Sequence, residues 1–275
     1  MAFEAFFLPA PNGQRFCLLH RPDAGQAARG AVVYVHPFGE EMNKSRRMAA
    51  LQARALAAAG YTVLQIDLHG CGDSSGDFGD ASWDDWIADV ELACHWLQRE
   101  GGAELWLWGL RTGCLLACVA AKRIESPCKL LLWQPVVSGK QYLQQFLRLK
   151  IAGELAGDGG DSKGKMERLR EQLSRGEAVE IAGYRLSSGL ADGLSQAELA
   201  PPESVARIAW LEISAKTDGA LSPLADARIK SLQAGGCAAN GVQVCGPAFW
   251  QTTEIEECPA LVEATLGAMA DAMQA

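Results

Sequence analysis

A turn that could present a catalytic nucleophile lies between an apolar strand and an apolar helix. Its sequence is Gly109-Leu-Arg-Thr-Gly113, preceded by Glu-Leu-Trp-Leu-Trp and followed by Cys-Leu-Leu-Ala-Cys-Val. Two glycines around one central residue match the strand-to-helix pattern G-x-S-x-G, which exposes a serine to a substrate carbonyl. The central residue here is Arg111, whose guanidinium stays protonated at any working pH and cannot attack a carbonyl. The motif therefore predicts the backbone of a nucleophile site without its nucleophile.

The histidines point the same way. All four precede this turn, at His20, His36, His69 and His95. In proteins built around such a turn, the catalytic histidine follows both the nucleophile and the acid. Phe249 or Trp250 falls where that histidine should be, and Asp218 occupies the place of the acid. The degenerate triad positions are therefore Arg111, Asp218 and one of these two aromatics, which excludes ordinary Ser-His-Asp hydrolysis.

Arg111 needs a negative partner. A cation at a helix N-terminus is unfavourable by about 0.3–1 kcal/mol, and a strained elbow backbone adds about 1–3 kcal/mol. One solution is a ligand carboxylate or phosphate, held by the guanidinium and by the converging backbone N–H groups of Phe38 and Thr112, the predicted oxyanion pair. The other solution is an internal salt bridge. Its candidate partners are Glu40, Glu41 and Asp218.

His36 and His69 are further candidate binding residues. Each ends a predicted strand, at the sheet edge where α/β proteins bind ligands. Either could act as an acid or a base, or could simply shape its loop. Asp218 has a similar pair of interpretations, because it could be a relic triad acid or an ordinary loop carboxylate.

Composition excludes several classes of function. The chain has 275 residues, 49% of them hydrophobic, and a net charge of -8, so a basic surface for nucleic acid or an anionic membrane is not expected. The nine cysteines contain no C-x-x-C pair and read as reduced thiols, with no metal site and no cofactor predicted. No signal peptide or apolar run of about 18 residues is found, which predicts a cytoplasmic protein without a membrane span.

Strands alternate with helices along most of the chain, which predicts an α/β fold with a mostly parallel sheet. The alternation stops between residues 138 and 204, where helical stretches are predicted at 141–155 and 166–173. We therefore predict a core of residues 1–137 and 205–275 and a cap or lid insertion at 138–204. The Gly-rich connector 157–165 is expected to be its most mobile part. Ser45 and Ser82 are predicted to cap helices, Ser82 together with Asp85.

Several strings resemble one known family. They are Tyr34-Val-His-Pro-Phe-Gly-Glu-Glu-Met-Asn-Lys-Ser-Arg-Arg-Met48, Ile66-Asp-Leu-His-Gly-Cys-Gly-Asp-Ser-Ser-Gly-Asp-Phe78, Trp108-Gly-Leu-Arg-Thr-Gly113 and Phe249-Trp-Gln-Thr-Thr-Glu-Ile-Glu-Glu257. In combination they resemble the exosortase A system-associated hydrolase 2 family of the α/β-hydrolase superfamily. The resemblance implies an α/β-hydrolase fold, and a setting in bacteria that carry exosortase/PEP-CTERM protein sorting and exopolysaccharide genes. It also implies possible partners among envelope polysaccharides or exosortase-system proteins.

Three functional hypotheses follow. The first is a non-catalytic or strongly altered hydrolase whose pocket binds an anionic or carbonyl-bearing small molecule, or an acidic group of a partner. The second is an active but atypical hydrolase or acyl-transfer enzyme, in which His36 or His69 activates water and Arg111 acts as the electrophile. The third is a scaffold for polysaccharide enzymes of the cell envelope.

Overall fold

The computed structural model describes residues 3–23, 25, 28–101, 104–124, 126–155 and 162–270. Ten strands are found in this part of the chain. They are β1 (Phe3–Ala10), β2 (Gly13–His20), β3 (Gly30–Val35), β4 (Tyr61–Ile66), β5 (Leu105–Leu110), β6 (Cys128–Trp133), β7 (Val179–Ile181), β8 (Tyr184–Leu186), β9 (Val205–Ser214) and β10 (Ala238–Cys245).

Eight of these strands form one twisted sheet in the order β1-β2-β4-β3-β5-β6-β9-β10. β2 pairs antiparallel with both β1 and β4, and every later pair is parallel. This arrangement confirms the predicted mostly parallel sheet. Because the carboxyl ends of parallel strands meet at one edge, the turns after β3, β5 and β10 converge there.

Helices cover both faces of the sheet. They are α1 (Glu40–Ala58), α2 (Trp83–Arg99), α3 (Gly113–Arg123), α4 (Gly139–Leu155), α5 (Ser162–Ser174), α6 (Ser188–Gln196), α7 (Pro223–Ala234) and α8 (Pro259–Ala270). Side chains alternate along each strand, so the fully buried β5 sends Trp106 and Trp108 to the layer of α1 and α8, and Leu105 and Leu107 to that of α2 and α3. Within the described residues, the helices are too short or too polar to span a membrane.

One of the two predicted helix caps is confirmed and the other is wrong. Ser82 accepts a hydrogen bond from the Asp85 N–H at 3.1 Å, and the Asp85 carboxylate accepts one from the Ser82 N–H at 2.9 Å. By contrast, α1 begins five residues before Ser45, at Glu40, because Gly39 adopts the positive φ of 54° that starts it. Ser45 lies inside the helix, where its hydroxyl donates to the Glu41 carbonyl at 2.6 Å.

The segment between β6 and β9, which we call the cap segment, contains α4, α5, the β7–β8 hairpin and α6. The sequence patterns predicted only helices here, because three-residue strands are too short to show an alternation. The hairpin turns at Ala182-Gly183, whose positive φ values of 49° and 85° are those of a type I′ turn. Residues 156–161, most of the connector predicted to be mobile, lie outside the described residues; residues 162–165 begin α5.

The two ends of the cap segment meet at its root. Gly139 N–H donates to the Ala197 carbonyl at 2.9 Å, and Leu199 N–H donates to the Val137 carbonyl at 2.9 Å. A Cβ at Gly139 would lie only 1.9 Å from the Leu194 carbonyl oxygen, so the glycine allows α4 and α6 to approach. The segment therefore leaves and rejoins the sheet at neighbouring points.

Candidate functional site

The strand-to-helix turn predicted from the sequence is present after β5. Arg111 at its tip has φ of 55°, a left-handed conformation that costs a non-glycine residue about 1–3 kcal/mol. Both glycines are required by close packing: a Cβ at Gly109 would lie 2.6 Å from the Cα of Cys114, and one at Gly113 would lie 2.2 Å from the Val35 carbonyl oxygen. The backbone of a nucleophile elbow therefore survives although the central residue has changed.

The Arg111 side chain forms an internal salt bridge with Glu41. Its Nε lies 3.3 and 3.4 Å from the two carboxylate oxygens, and its Nη2 lies 3.3 Å from Oε1. The side chains are 19% and 17% exposed, so the pair is largely removed from water. Glu41 lies in the first turn of α1, where the helix dipole also favours a negative charge.

Two aromatic rings flank the same guanidinium. The Arg111 Cζ lies 5.4 Å from the centroid of Trp250 and 5.9 Å from that of Tyr142, both within the range of cation–π attraction. The Tyr142 hydroxyl also donates a hydrogen bond to the Glu41 carboxylate. Arg111 is thus enclosed by one carboxylate and two aromatic side chains that come from α1, the loop after β10 and the cap helix α4.

The structure separates the two aromatics that the sequence left as alternatives. Phe249 is fully buried and packs edge-on against Trp133, with ring centroids 6.2 Å apart. Trp250 instead faces Arg111. Of the two aromatics predicted for the histidine position, Trp250 is therefore the one that contacts the elbow residue.

One of the two backbone donors predicted for an oxyanion site has a partner within the chain. The Phe38 N–H, one of the two predicted donors, donates to the Thr112 hydroxyl oxygen at 2.9 Å, and Thr112 is buried. A substrate oxygen would have to displace this hydroxyl. The motif indicated a role for the Thr112 backbone only; the role of its side chain was missed, although threonine hydroxyls often satisfy nearby backbone donors.

The Phe38 side chain fills the space between this loop and the cap segment. Its ring makes edge-to-face contacts, with centroids 4.9–5.9 Å apart, to four aromatics: Phe78, Trp86, Tyr142 and Phe146. Such pairs contribute about 0.5–1.5 kcal/mol each beyond the area that they bury. Two of the four belong to α4, so the cap helix packs directly onto the loop after β3.

Comparison with known proteins places this architecture in a family. The sequence matches the serine aminopeptidase family S33 over residues 26–181, more than half of the 275-residue chain. The chain belongs to that family of α/β-hydrolases. No curated protein matches it. The match supports hydrolase ancestry at the family level, and the α/β-hydrolase fold expected from the sequence is confirmed.

Three solved structures illustrate the likeness in fold, and each is distant in sequence. Est1E from Butyrivibrio proteoclasticus with bound ferulic acid superposes with a TM-score of 0.68 at 16% identity, over 98% of this chain and 100% of the other. An esterase from Rhizomucor miehei gives 0.62 at 14% identity, over 98% and 83%. A thermostable carboxyl esterase from Bacillus coagulans gives 0.60 at 17% identity, over 88% and 90%. At these identities the likeness establishes the fold alone.

Both ring nitrogens of His36 are engaged by the main chain in this member of the S33 family. Its Nδ1 donates to the Pro37 carbonyl at 2.9 Å, and its Nε2 accepts from the Leu68 N–H at 3.1 Å. A carbonyl can only accept and a backbone amide can only donate, so the tautomer is determined by the backbone. Burial lowers the pKa of His36, which keeps the ring neutral. Both ring nitrogens therefore hold the loops after β3 and β4 together.

His69 is held through its backbone. Its N–H donates to Asp89 at 2.7 Å, and its carbonyl accepts from the Trp86 indole at 2.9 Å. The ring packs over Gly76, where a Cβ would lie 2.6 Å from the imidazole Cε1, and the buried Nδ1 has no partner among the described residues. Within that part of the chain, no contact joins His69 to Arg111.

The remaining predicted carboxylates have other partners. Asp218 is exposed and accepts a hydrogen bond from the Ala220 N–H at 3.2 Å, as a loop residue does. Glu40 accepts from the Tyr184 hydroxyl at 2.8 Å, on the β7–β8 hairpin. Of the three candidates, only Glu41 is brought to Arg111, and the neighbouring Glu40 binds a second part of the cap segment.

Burial controls the titration of this cluster. It raises the pKa of Glu41 above the ordinary value of 4.5, and the opposing effects of Arg111 and Tyr142 do not cancel it. Burial also raises the pKa of the Tyr142 hydroxyl, reinforced by the Glu41 charge. The carboxylate is therefore costly to keep charged even beside a guanidinium. A negatively charged group from outside would compete with it for Arg111.

Proposed function

We propose that this chain is a non-catalytic member of the S33 family whose former active site is occupied by its own side chains. One observation carries the proposal: Arg111 stands at the nucleophile position and is ion-paired with Glu41. Trp250 stacks on the same guanidinium, and Thr112 occupies the Phe38 N–H. The nucleophile, the base and one oxyanion donor are thus all replaced or engaged.

An atypical enzyme, the alternative hypothesis, lacks a base in the right place. His36 would have to break two hydrogen bonds to the main chain before it could take a proton from water. Within the described residues, neither His36 nor His69 contacts Arg111. Since a general base must lie within hydrogen-bond reach of the proton that it removes, the arrangement supports loss of hydrolysis.

We further propose that the site binds a small carboxylate or carbonyl-bearing ligand, or an acidic group of a partner, by displacement of Glu41. The contacts between Arg111 and Glu41 are 3.3–3.4 Å long, whereas charge-assisted pairs are usually 2.7–2.9 Å. The Arg111 Nη1 has no acceptor among the described residues, and part of the side chain remains exposed. Two aromatic rings beside the guanidinium would favour a flat or apolar ligand body.

We also propose an exosortase setting, because the strings that resemble the exosortase-associated family overlap the site. Two strings that resemble the exosortase A system-associated hydrolase 2 family supply site residues: residues 34–48 contain Phe38 and Glu41, and residues 249–257 contain Trp250. The family-like sequence therefore coincides with the altered site. We propose envelope polysaccharides or exosortase-system proteins as the source of the acidic or carbonyl group, and a cytoplasmic location.

Labelling with a fluorophosphonate probe tests the loss of catalysis. Neither the wild type nor Arg111→Ser should be labelled, and both should hydrolyse p-nitrophenyl acetate no faster than buffer. In Arg111→Ser/Trp250→His, the new imidazole replaces the ring that faces the elbow, so labelling should appear. The matched control is Arg111→Ser/Phe249→His, which places the imidazole in a buried position beside Trp133 and should remain unlabelled.

The labelling results discriminate between the hypotheses. Labelling of the wild type, or hydrolysis by Arg111→Ser alone, would mean that an existing histidine reaches the elbow and would overturn the proposal. Adding Thr112→Ala to the Arg111→Ser/Trp250→His variant frees the Phe38 N–H and should increase labelling at least several-fold. No increase would show that the threonine hydroxyl does not obstruct the oxyanion site.

Calorimetric titration with benzoate and with inorganic phosphate tests whether an anion binds to Arg111 by displacing Glu41. Glu41→Gln removes the internal competitor but keeps the side-chain shape, so benzoate should bind at least ten-fold more tightly than to the wild type. Arg111→Gln should abolish this binding. Equal affinities for the wild type and Glu41→Gln would contradict displacement, and binding that persists in Arg111→Gln would place the ligand elsewhere.

A further inference from the structure

The backbone of β1 exposes hydrogen-bonding groups along one edge of the sheet. On β2, the Gln14 N–H donates to the Ser75 hydroxyl at 3.0 Å and the Gln14 carbonyl accepts from the Ser75 N–H at 3.0 Å. The Phe16 N–H donates to the Ser74 hydroxyl at 2.9 Å, so both residues of β2 face away from β1. The intervening residues of β2 face β1, opposite Glu4, Phe6 and Leu8. Because alternate residues of a strand face opposite sides, the backbone groups of Phe3, Ala5, Phe7 and Pro9 point outward.

The side chains of the same residues form an exposed apolar surface. Phe3 is 61% exposed and Phe7 45%, and Ala5 between them is also exposed. An open strand edge is usually protected by lysine, proline or a bulge. β1 contains no lysine; its one charge is Glu4 and its one proline is Pro9, near the end of the strand. Along residues 3–7 the outward edge therefore offers both donors and acceptors.

We propose that β1 pairs antiparallel with β1 of a second copy of this chain, across a two-fold axis at Ala5. In this register Ala5 faces Ala5 of the partner subunit, and Phe3 faces Phe7 of the partner subunit. All three outward pairs are then of the hydrogen-bonded type, which gives about six main-chain bonds. The exposed phenylalanines become cross-strand aromatic pairs, which stabilise a sheet.

The two neighbouring symmetric registers are worse. A shift toward the start of the strand places Glu4 directly opposite Glu4 of the partner subunit, which is a like-charge pair. A shift toward its end places Pro9 opposite Phe3 of the partner subunit, and proline has no N–H to donate. Charge and hydrogen bonding therefore both select the register centred on Ala5, where Glu4 faces the uncharged Phe6 of the partner subunit.

A second copy is the occupant because the surface is complementary to itself. The register satisfies backbone groups on both subunits at once and brings no like charges together, as an isologous interface requires. A five-residue edge with two phenylalanines per subunit is smaller than a standard stable interface of about 800 Å² per partner. We therefore expect a weak dimer whose population depends on protein concentration.

Sedimentation velocity over a range of concentrations, from about 1 μM to about 300 μM, tests the dimer. The weight-average mass should rise from the 29.4 kDa of one chain toward twice that value. Ala5→Pro removes only an outward-facing N–H and should keep the variant monomeric with an unchanged circular dichroism spectrum. A wild type that stays monomeric throughout, or an Ala5→Pro variant that associates like the wild type, would overturn the proposal.

A charge-swap experiment tests the register. Ala5→Lys and Ala5→Glu should each be monomeric, since like charges face each other across the axis, whereas an equimolar mixture should regain association. Val242→Lys, on the exposed edge strand β10, is the matched control and should associate like the wild type. Failure of the mixture to associate would exclude pairing at Ala5, and loss of association in Val242→Lys would assign the contact to the opposite edge.

Discussion

Two ion pairs, one buried and one partly exposed, lie in different regions of the molecule. Arg15 on β2 and Asp89 on α2 are 2% and 3% exposed, and the Arg15 Nε lies 2.7 Å from the carboxylate. Arg111 and Glu41 at the altered elbow are 19% and 17% exposed, with separations of 3.3–3.4 Å. The first pair has a short N–O distance and is inaccessible to solvent. The second has longer N–O distances and is partly accessible to solvent.

The surroundings of the two carboxylates explain the difference. The second oxygen of Asp89 accepts the His69 N–H at 2.7 Å, and Arg15 also donates to the carbonyls of Asn12 and Gln14. This pair joins β2, α2 and the loop after β4 into one network. Glu41 has no backbone donor comparable to that of His69 among its described contacts. The Arg15–Asp89 pair thus has several main-chain partners, whereas the guanidinium of the Arg111–Glu41 pair keeps a donor that a ligand could use.

The largest predicted change in the free energy of unfolding comes from disrupting the buried Arg15–Asp89 pair. Arg15→Met keeps the apolar stem but leaves the Asp89 carboxylate buried without its cation, and it should lower the free energy of unfolding by about 3–5 kcal/mol. Urea denaturation followed by circular dichroism measures this loss. Arg21→Met breaks the exposed pair with Glu100 and serves as the control, with an expected change below about 1 kcal/mol. Similar losses of unfolding free energy in both variants would show that burial of the ion pair makes no difference to its contribution.

An intermediate effect is predicted at the elbow. Arg111→Ser leaves Glu41 without its cation but also relieves an unfavourable charge at the N-terminus of α3, so the net loss should be about 2 kcal/mol. In a double-mutant cycle, adding Glu41→Gln should cost less in the Arg111→Ser background than in the wild type. Additive losses would show that the two side chains are not coupled, and a loss as large as that of Arg15→Met would make the elbow pair structural.

The smallest effect is a dependence on pH. Burial raises the pKa of Glu41 above 4.5, so the native protein holds this proton more strongly than the unfolded chain does. The resulting stability is fully present below the unfolded pKa and is lost as the pH rises through the raised one. The free energy of unfolding of the wild type, relative to Glu41→Gln, should therefore fall as the pH increases above about 4.5. A difference that increases with pH would mean that Arg111 dominates and lowers this pKa.

Local patterns in the sequence predicted much of the fold. The alternation of strands and helices indicated the parallel sheet, and the spacing of Ser82 and Asp85 indicated the start of α2. The start of α1 was misplaced at Ser45, because a glycine with positive φ began the helix earlier. The β7–β8 hairpin was missed because its strands contain three residues each, fewer than a periodic pattern needs.

In the candidate site, too, some features were predicted from the sequence and others were not. Residue types at the elbow predicted that no ordinary triad could form, and they limited the internal partners of Arg111 to three carboxylates. Tyr142 carried no sequence signal beyond that of an aromatic residue in a helix. The hydroxyl of Thr112 could have been anticipated from the habits of threonine, but its target, Phe38, lies 74 positions away in the chain.

The sequence by itself determined the chemistry that follows from the type of each side chain. A guanidinium cannot be a nucleophile wherever it lies, so Arg111 and the order of the histidines were sufficient to predict that no ordinary Ser-His-Asp triad forms. Which groups surround Arg111 was decided only by the tertiary structure. Glu41, Tyr142 and Trp250 come from α1, α4 and the loop after β10, and they meet because parallel strands bring their carboxyl ends to one edge of the sheet. Such distant contacts leave no local pattern in the chain.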